Sequence, residues 1–254
     1  MRRGRLILTG LVLAVPSMLG TACSGEADTD ATELVVFAAS SLTDAFVKLG
    51  EAFTAEHPDI RVTFNFAGSG DLVTQITQGA PADVFASADD SNMTKLIDAG
   101  ENAGDPVAIA KNTFQIIVEP GNPTGVADLA DLADPALIVV LCADTVPCGK
   151  GAATVLSNAG VSVTAKSLED KVKGVVTKVT TGEADAGIVF VTDVMAAGDS
   201  ADGVEIPAEI NVISNYPIVI TNAAPNAAAA RAFIEFVASD EGQAILASYG
   251  FLGP

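Results

Sequence analysis

The chain has 254 residues, 13 of them basic and 32 acidic, with 49% hydrophobic residues and no tryptophan. This length fits one large domain or two small ones, and the apolar fraction fills a core made mostly of Ala, Val, Leu and Ile. A net charge of −19 speaks against nucleic-acid binding, which needs basic patches.

The first residues read as an export signal. Arg2, Arg3 and Arg5 precede an apolar run from Leu6 to Leu19, broken by Pro16. Gly20-Thr21-Ala22 then supplies the small residues a signal peptidase accepts. The run is too short and one-sided for a spanning helix. Residues 1–22 are therefore expected to be a signal peptide. Cys23 resembles the lipidated cysteine of a bacterial lipobox, although Gly20 stands where Leu is commoner and Leu19 comes one position early. A lipid anchor on Cys23 is expected, with plain secretion as the alternative. Residues 23–32 are polar, acidic and aperiodic, a flexible tether. Cleavage removes three of the 13 basic residues and none of the 32 acidic ones, leaving about −22.

The stretch Leu34 to Phe46 predicts a buried strand, a tight turn and a helix with apolar residues at Leu42, Ala45, Phe46, Leu49 and Phe53. Ser41 is expected to cap that helix, with Asp44 completing a capping box. Its free N–H groups and dipole make such a helix start suitable for an anion. His57-Pro58 ends the helix. Ile60 to Phe66 alternates as a strand, and Ser69 opens a helix closed by Gly79. The device of strand, small-residue turn with serine, and helix thus occurs twice.

A strand at Ala80–Ser87 and a helix from Ser91 to about Gly100 follow. Val107 to Val118 reads as one long β segment, ended by the turn Pro120-Gly121-Asn122-Pro123. Leu137–Leu141 is a strand, followed by an Ala-rich helix to about Asn158. Leu168 to Val179 reads as helix. Ala186–Val191 is a buried strand, and Thr192-Asp193 opens a short helix. Asn211–Ile220 is a strand containing Tyr216-Pro217, and helices opened by Pro225 and Ser239 complete the chain. Alternating strands and helices predict an α/β fold with parallel sheets and crossovers.

Cys142 and Cys148 are six apart in LCADTVPCG. Outside the cytoplasm a disulfide between them is the expected reading. Two thiols with no nearby histidine leave a metal site unfinished, so no metal is expected. Nucleophilic catalysis by Ser41 or Ser69 lacks a base. The lone histidine, His57, lies at the far end of the Ser41 helix, roughly 24 Å away at 1.5 Å per residue. Lys150 has no spacing that makes it a base. No HExxH, Walker A or GxSxG pattern occurs, so the chain is expected to be no enzyme and to need no cofactor. An oxyanion is a better match. A fully deprotonated one only accepts hydrogen bonds, so a site of hydroxyls and helix N–H groups suits it. A protonated anion would also want a carboxylate, for which Asp44 and Asp71 are nearest; both sit where an acid steadies a helix start.

The segments FAASSLTDAF, FAGSGDLVTQITQGAPADVFASAD, VPCGKGAATVL, GIVFVTD, YPI and ASYGF follow one another in this chain. Together, over nearly all of Glu33 to Phe251, they resemble the molybdate-binding proteins of bacterial ABC importers. That resemblance implies a periplasmic-binding-protein-like α/β fold of two lobes joined by a two-segment hinge. Lobe 1 would be 33–113 plus 217–254, and lobe 2 would be 114–216. It implies molybdate or tungstate clamped by Ser41 and Ser69 of lobe 1 and by backbone N–H groups of Cys148 and Val172 of lobe 2, with molybdenum present only as the bound oxyanion. Phe190 stands where the family has a tyrosine, so a hydroxyl donor is missing; Thr192 is the candidate substitute. The implied partners are an ABC permease with its ATPase, and the membrane through the lipid. A monomer on the extracytoplasmic face is expected. Sulfate or phosphate on the same fold, or a surface lipoprotein without transport, are the alternatives.

Overall fold

The computed structural model describes residues 31–254. The signal peptide, Cys23 and all but the end of the tether lie outside the described residues. Thr32, expected in the tether, already pairs with Ile60 as the first residue of a strand.

The first strand, β1 (Thr32–Ala39), passes through a 3-10 turn at Ser40–Leu42 into α1 (Thr43–Glu56). β2 (Ile60–Ala67), α2 (Ser69–Thr77), β3 (Val84–Ala86), α3 (Asp90–Asp98) and β4 (Val107–Asn112) follow. The next strand is β5 (Phe114–Val118), then β6 (Val139–Cys142), α4 (Pro147–Ala159), β7 (Ser167–Glu169), α5 (Val172–Thr180), β8 (Ala186–Phe190), α6 (Val191–Ala197) and β9 (Asp202–Glu205). β10 (Ser214–Ile220), α7 (Ala227–Ala238) and α8 (Asp240–Ser248) complete the chain.

The strands form two five-stranded sheets, ordered β2-β1-β3-β10-β4 and β7-β6-β8-β5-β9. In the first, β1 runs parallel to β2 and β3, and β10 is antiparallel to β3 and β4. In the second, β6 is parallel to β7 and β8, and β5 is antiparallel to β8 and β9. β1 is apolar throughout its middle because both faces of its sheet are covered. Leu34 and Val36 face α1 and α7, where Phe46 and Phe53 meet Phe233 edge-on at 6.1 and 5.3 Å. Phe37 faces the other way, into a cluster with Leu72, Ile76, Phe85 and Leu96 of α2, β3 and α3.

The long segment expected at 107–118 is two strands in two sheets. Thr113 alone separates β4 from β5, so the chain crosses between lobes there. It returns between β9 and β10. Asn211 fastens the crossings together: its Oδ1 accepts from the Phe114 N–H (3.1 Å) and its Nδ2 donates to the Phe114 carbonyl (2.8 Å). β10 starts at Ser214, so Ser214, Asn215 and Tyr216 belong to the first sheet, whereas the sequence reading put the return at 217. The helix expected from Leu168 starts only at Val172. Ser167–Glu169 pairs with β6 as an edge strand, and its Leu168 is 64% exposed. The apolar period that suggested a helix there includes a residue left mostly exposed.

Candidate functional site

A small cavity lies between the sheets, at the ends of β1, β2 and β3 on one side and the starts of α4 and α5 on the other. Lobe 1 contributes Ser40, Ser41, Gly68, Ser69 and Ala88; lobe 2 contributes Val146, Pro147, Cys148, Lys171, Val172 and Phe190. The space for the centre of a water-sized group is about 10 Å³, so the cavity takes one small species at a time. The structure thus brings Ser41, Ser69, Cys148, Val172 and Phe190 to one place, all at most 6% exposed.

Ser69 is the first residue of α2, and its Oγ accepts from the Ala88 N–H at 3.1 Å. With the oxygen so engaged, the Ser69 proton is free to donate. Ser41 is not the helix cap expected of it. It sits in the 3-10 turn, α1 begins at Thr43, and the capping position falls on Leu42 with no side-chain cap. The apolar pattern places α1 correctly, but the extra half-turn moves Ser41 off the cap. Its hydroxyl instead meets the Tyr216 hydroxyl at 2.9 Å. Asp44, the expected capping-box partner, points across the cleft to Lys173.

On the facing side, Cys148 lies in the first turn of α4 and Val172 opens α5. First-turn N–H groups have no carbonyl four residues back, and both helix ends carry partial positive charge. The Cys142–Cys148 disulfide has formed, with Cα atoms 5.7 Å apart, and ties the α4 turn to the end of β6. Phe190 offers no hydroxyl. Its ring lies tilted against Phe114 at 4.6 Å and meets Tyr216 edge-on at 5.9 Å. Thr192, the candidate substitute, accepts from Asn112 Nδ2 at 2.8 Å and does not line the cavity.

The lobes touch closely here. A Cβ on Gly68 would lie 2.4 Å from the Asp170 carbonyl oxygen across the cleft. Two lysines bridge the lobes beside the cavity. Lys150 of α4 meets Asp89 at 3.1 Å, and Lys173 of α5 meets Asp44 at 2.7 Å. Lys150, which sequence spacing gave no role as a base, is therefore a cross-cleft partner. Lys173 also lies 3.4 Å from Asp193, whose carboxylate is wholly buried with neither oxygen in hydrogen-bond geometry. Burial pushes Asp193 up to about 7 despite the pull of Lys173. Burial opposes the Lys173 charge as well, but Asp193 and Asp44 outweigh it and hold its pKa above the ordinary lysine value. Tyr216, Asn112, Lys150, Lys171 and Lys173 are the site neighbours that sequence reasoning missed. The YPI segment was the one available signal for Tyr216.

No Asp or Glu lines the cavity. Its lining holds three serines, Ser40, Ser41 and Ser69, and two helix starts, a set that donates to a small anion. Among the described residues no cluster of three His, Cys, Asp or Glu is placed to hold a metal ion. Residues 34–252 match the family model described as bacterial extracellular solute-binding protein.

The chain belongs to the bacterial extracellular solute-binding proteins.

A curated relative agrees with that membership. It is 39% identical over 249 residues to the molybdate-binding protein ModA of Mycobacterium tuberculosis H37Rv, covering 98% of this chain and 95% of the relative. Among solved structures, the periplasmic molybdate-binding protein of Azotobacter vinelandii superposes with a TM-score of 0.77 at 22% identity, covering 87% of this chain and 99% of that one. The sulfate-binding protein SubI of M. tuberculosis H37Rv superposes with a TM-score of 0.78 at 18% identity, over 87% and 86%. At those identities the two structures speak for the two-lobed fold alone. Family membership makes this chain a binding component of a transporter and not an enzyme.

Proposed function

We propose that this protein captures molybdate, or tungstate of the same shape and charge, between its lobes and delivers it as a monomer to an ABC permease and its ATPase. The observation that carries this reading is a cavity without a carboxylate: serine hydroxyls from one lobe face helix N–H groups of the other. A tetrahedral dianion without protons needs only donors, and these groups supply them. Hydrogen phosphate would bring a proton and find no carboxylate to take it, which argues against phosphate. The 39% identity to a protein named for molybdate favours that cargo over sulfate. The net charge of −19 does not oppose it, because exposed charges are screened within roughly 8 Å at physiological salt. In this reading the ligand contacts are the Ser41 and Ser69 hydroxyls and the Cys148 and Val172 N–H groups, while Phe190 excludes water. Cys23 carries the lipid that holds the protein at the outer face of the membrane.

Calorimetric titration with molybdate, tungstate, sulfate and phosphate tests the cargo. Binding of the first two, with sulfate far weaker, is expected. Tight sulfate binding without molybdate binding would replace this cargo by sulfate, the second reading, which is equally a proton-free dianion. Mass spectrometry of the membrane-extracted protein tests the anchor: a diacylglyceryl mass on Cys23 is expected, and a free thiol there would show plain secretion.

A further inference from the structure

We propose that Tyr216 is a positioning residue that fixes Ser41 as a hydrogen-bond donor toward the bound oxyanion. The inference deepens the reading above and rests on it for the identity of the ligand. Tyr216 is fully buried, and its hydroxyl has two neighbours, Ser41 Oγ at 2.9 Å and Asn112 Nδ2 at 3.5 Å. The orientation of Asn112 is set independently: its Oδ1 accepts from the Thr113 N–H at 3.0 Å, which turns the amide nitrogen toward Thr192 and Tyr216. Asn112 therefore presents N–H to Tyr216, long though that contact is, and no acceptor. Burial raises the Tyr216 pKa, so the phenol keeps its proton. That proton has one acceptor in reach, Ser41 Oγ. Once Ser41 accepts from Tyr216, its own proton points elsewhere, and the cavity that Ser41 lines is where an acceptor would be.

The fold builds this relay deliberately. β10 is an interior strand, and its pairing with β4 shifts register between Tyr216 and Pro217. A proline has no N–H for the ladder, and a bulge re-aims the neighbouring side chain. The ring is then held edge-on by Phe190 at 5.9 Å and Phe251 at 5.3 Å. Each bond in the run Asn112, Tyr216, Ser41 polarises the next in a water-poor interior.

Two measurements test this, and they fail separately from the cargo reading. Neutron diffraction from deuterium-exchanged crystals of the unaltered protein should place the phenolic deuteron of Tyr216 on the line to Ser41 Oγ and the Ser41 deuteron off that line. A Ser41 deuteron pointing at Tyr216 would overturn the proposal whatever the ligand is. In molybdate titrations, Tyr216→Phe keeps the ring and should weaken binding by about tenfold, while adding Tyr216→Phe to Ser41→Ala should change nothing further. A residue that only packs would weaken binding equally in both backgrounds, and that result, or an unchanged Tyr216→Phe, would sink the idea. If the unaltered protein binds no molybdate, the cargo reading fails and the neutron result still decides the polarity. It does so equally if Tyr216→Phe does not fold.

Discussion

The floor of the cavity has a Ser69 side and a Ser41 side, and the two are built alike up to one difference. Each serine follows a strand of the first sheet, and each side is bridged by a lysine close behind a second-lobe helix start. Lys150, two residues after Cys148, reaches Asp89 beside Ala88; Lys173, next to Val172, reaches Asp44 in the first turn of α1. The difference is what holds the hydroxyl. Ser69 accepts from a main-chain N–H, which any residue at position 88 except proline would supply. Ser41 depends on a phenol 175 residues away in sequence. A backbone partner comes with the fold, whereas a side-chain partner has to be encoded, so the Ser41 side is where substitutions tune the site.

The largest effect is expected where the Ser69 side meets the opposite lobe. Gly68→Ala would place a Cβ 2.4 Å from the Asp170 carbonyl oxygen, a backbone atom that cannot swing aside. Closure should fail and oxyanion affinity fall by more than about 100-fold. Calorimetry with small-angle scattering checks this. A variant that binds within tenfold of the parent would show that closure does not need so close an approach.

Next come the serines themselves. Ser41→Ala and Ser69→Ala should each weaken oxyanion binding by about 1.5–3 kcal/mol, the range for a hydrogen bond to a charged group. Their effects on the unligated protein separate the two sides. Ser41→Ala strands the buried Tyr216 hydroxyl, at about 1–3 kcal/mol, and adding Tyr216→Phe should recover part of that loss. Ser69→Ala strands the Ala88 N–H, which no substitution at 88 short of proline removes. Denaturant unfolding of the three variants measures the contrast, and equal, unrecoverable losses would erase it.

Much of this site was legible in sequence. The apolar runs and glycine stops placed most elements, and Ser41, Ser69, Cys148, Val172 and Phe190 do reach one cavity. Each miss has its own physical cause. Ser41 as a cap failed because a 3-10 turn and an α-helix start share one apolar pattern, and the pattern does not say which half-turn the chain takes. Leu168 failed because an apolar residue on an edge strand can stay exposed. Tyr216, Asn112 and the bridging lysines were invisible because their partners come from the other end of the chain, and only the crossings at Thr113 and before Ser214 bring them together.

The Cys142–Cys148 bridge stiffens the α4 start and has no counterpart at α5. Replacing both cysteines by serine should cost about 2 kcal/mol of stability, the loop-closure value for so short a loop. It should weaken oxyanion binding as well, because the Cys148 N–H loses its fixed position. Unfolding and titration of the double variant test this. An unchanged affinity would mean that Pro147 and the α4 helix alone fix that donor.

Asp193 lies behind Lys173 on the Ser41 side, and nothing equivalent stands behind Lys150. Its carboxyl is raised from an ordinary aspartate value to about 7, so between roughly pH 4 and 7 the folded protein keeps a proton that the unfolded chain has lost. That contribution is complete at the acid end and declines as pH rises through the window, by at most about 1.4 kcal/mol per unit. Stability of the parent relative to Asp193→Asn should therefore fall from pH 4 to 7 and level off above. Chemical unfolding across that range tests it. A difference that grows with pH would mean that Lys173 holds the carboxylate charged.

The smallest effects belong to the lysine bridges and compare the two sides most directly. Lys173→Met and Lys150→Met each remove a partly exposed ion pair, with Asp44 46% and Asp89 16% exposed at the side chain. Such pairs contribute under about 1 kcal/mol and fade with salt. Both variants should dissociate the ligand somewhat faster, and the gap from the parent should shrink as salt rises. The Lys173 variant should keep a salt-independent remainder that the Lys150 variant lacks, because removing Lys173 leaves Asp193 buried without its counter-charge and shifts it further toward its neutral form. Stopped-flow dissociation at low and high salt reads the difference. Equal salt dependence in both would mean that Asp193 takes no part in holding the Ser41 side closed.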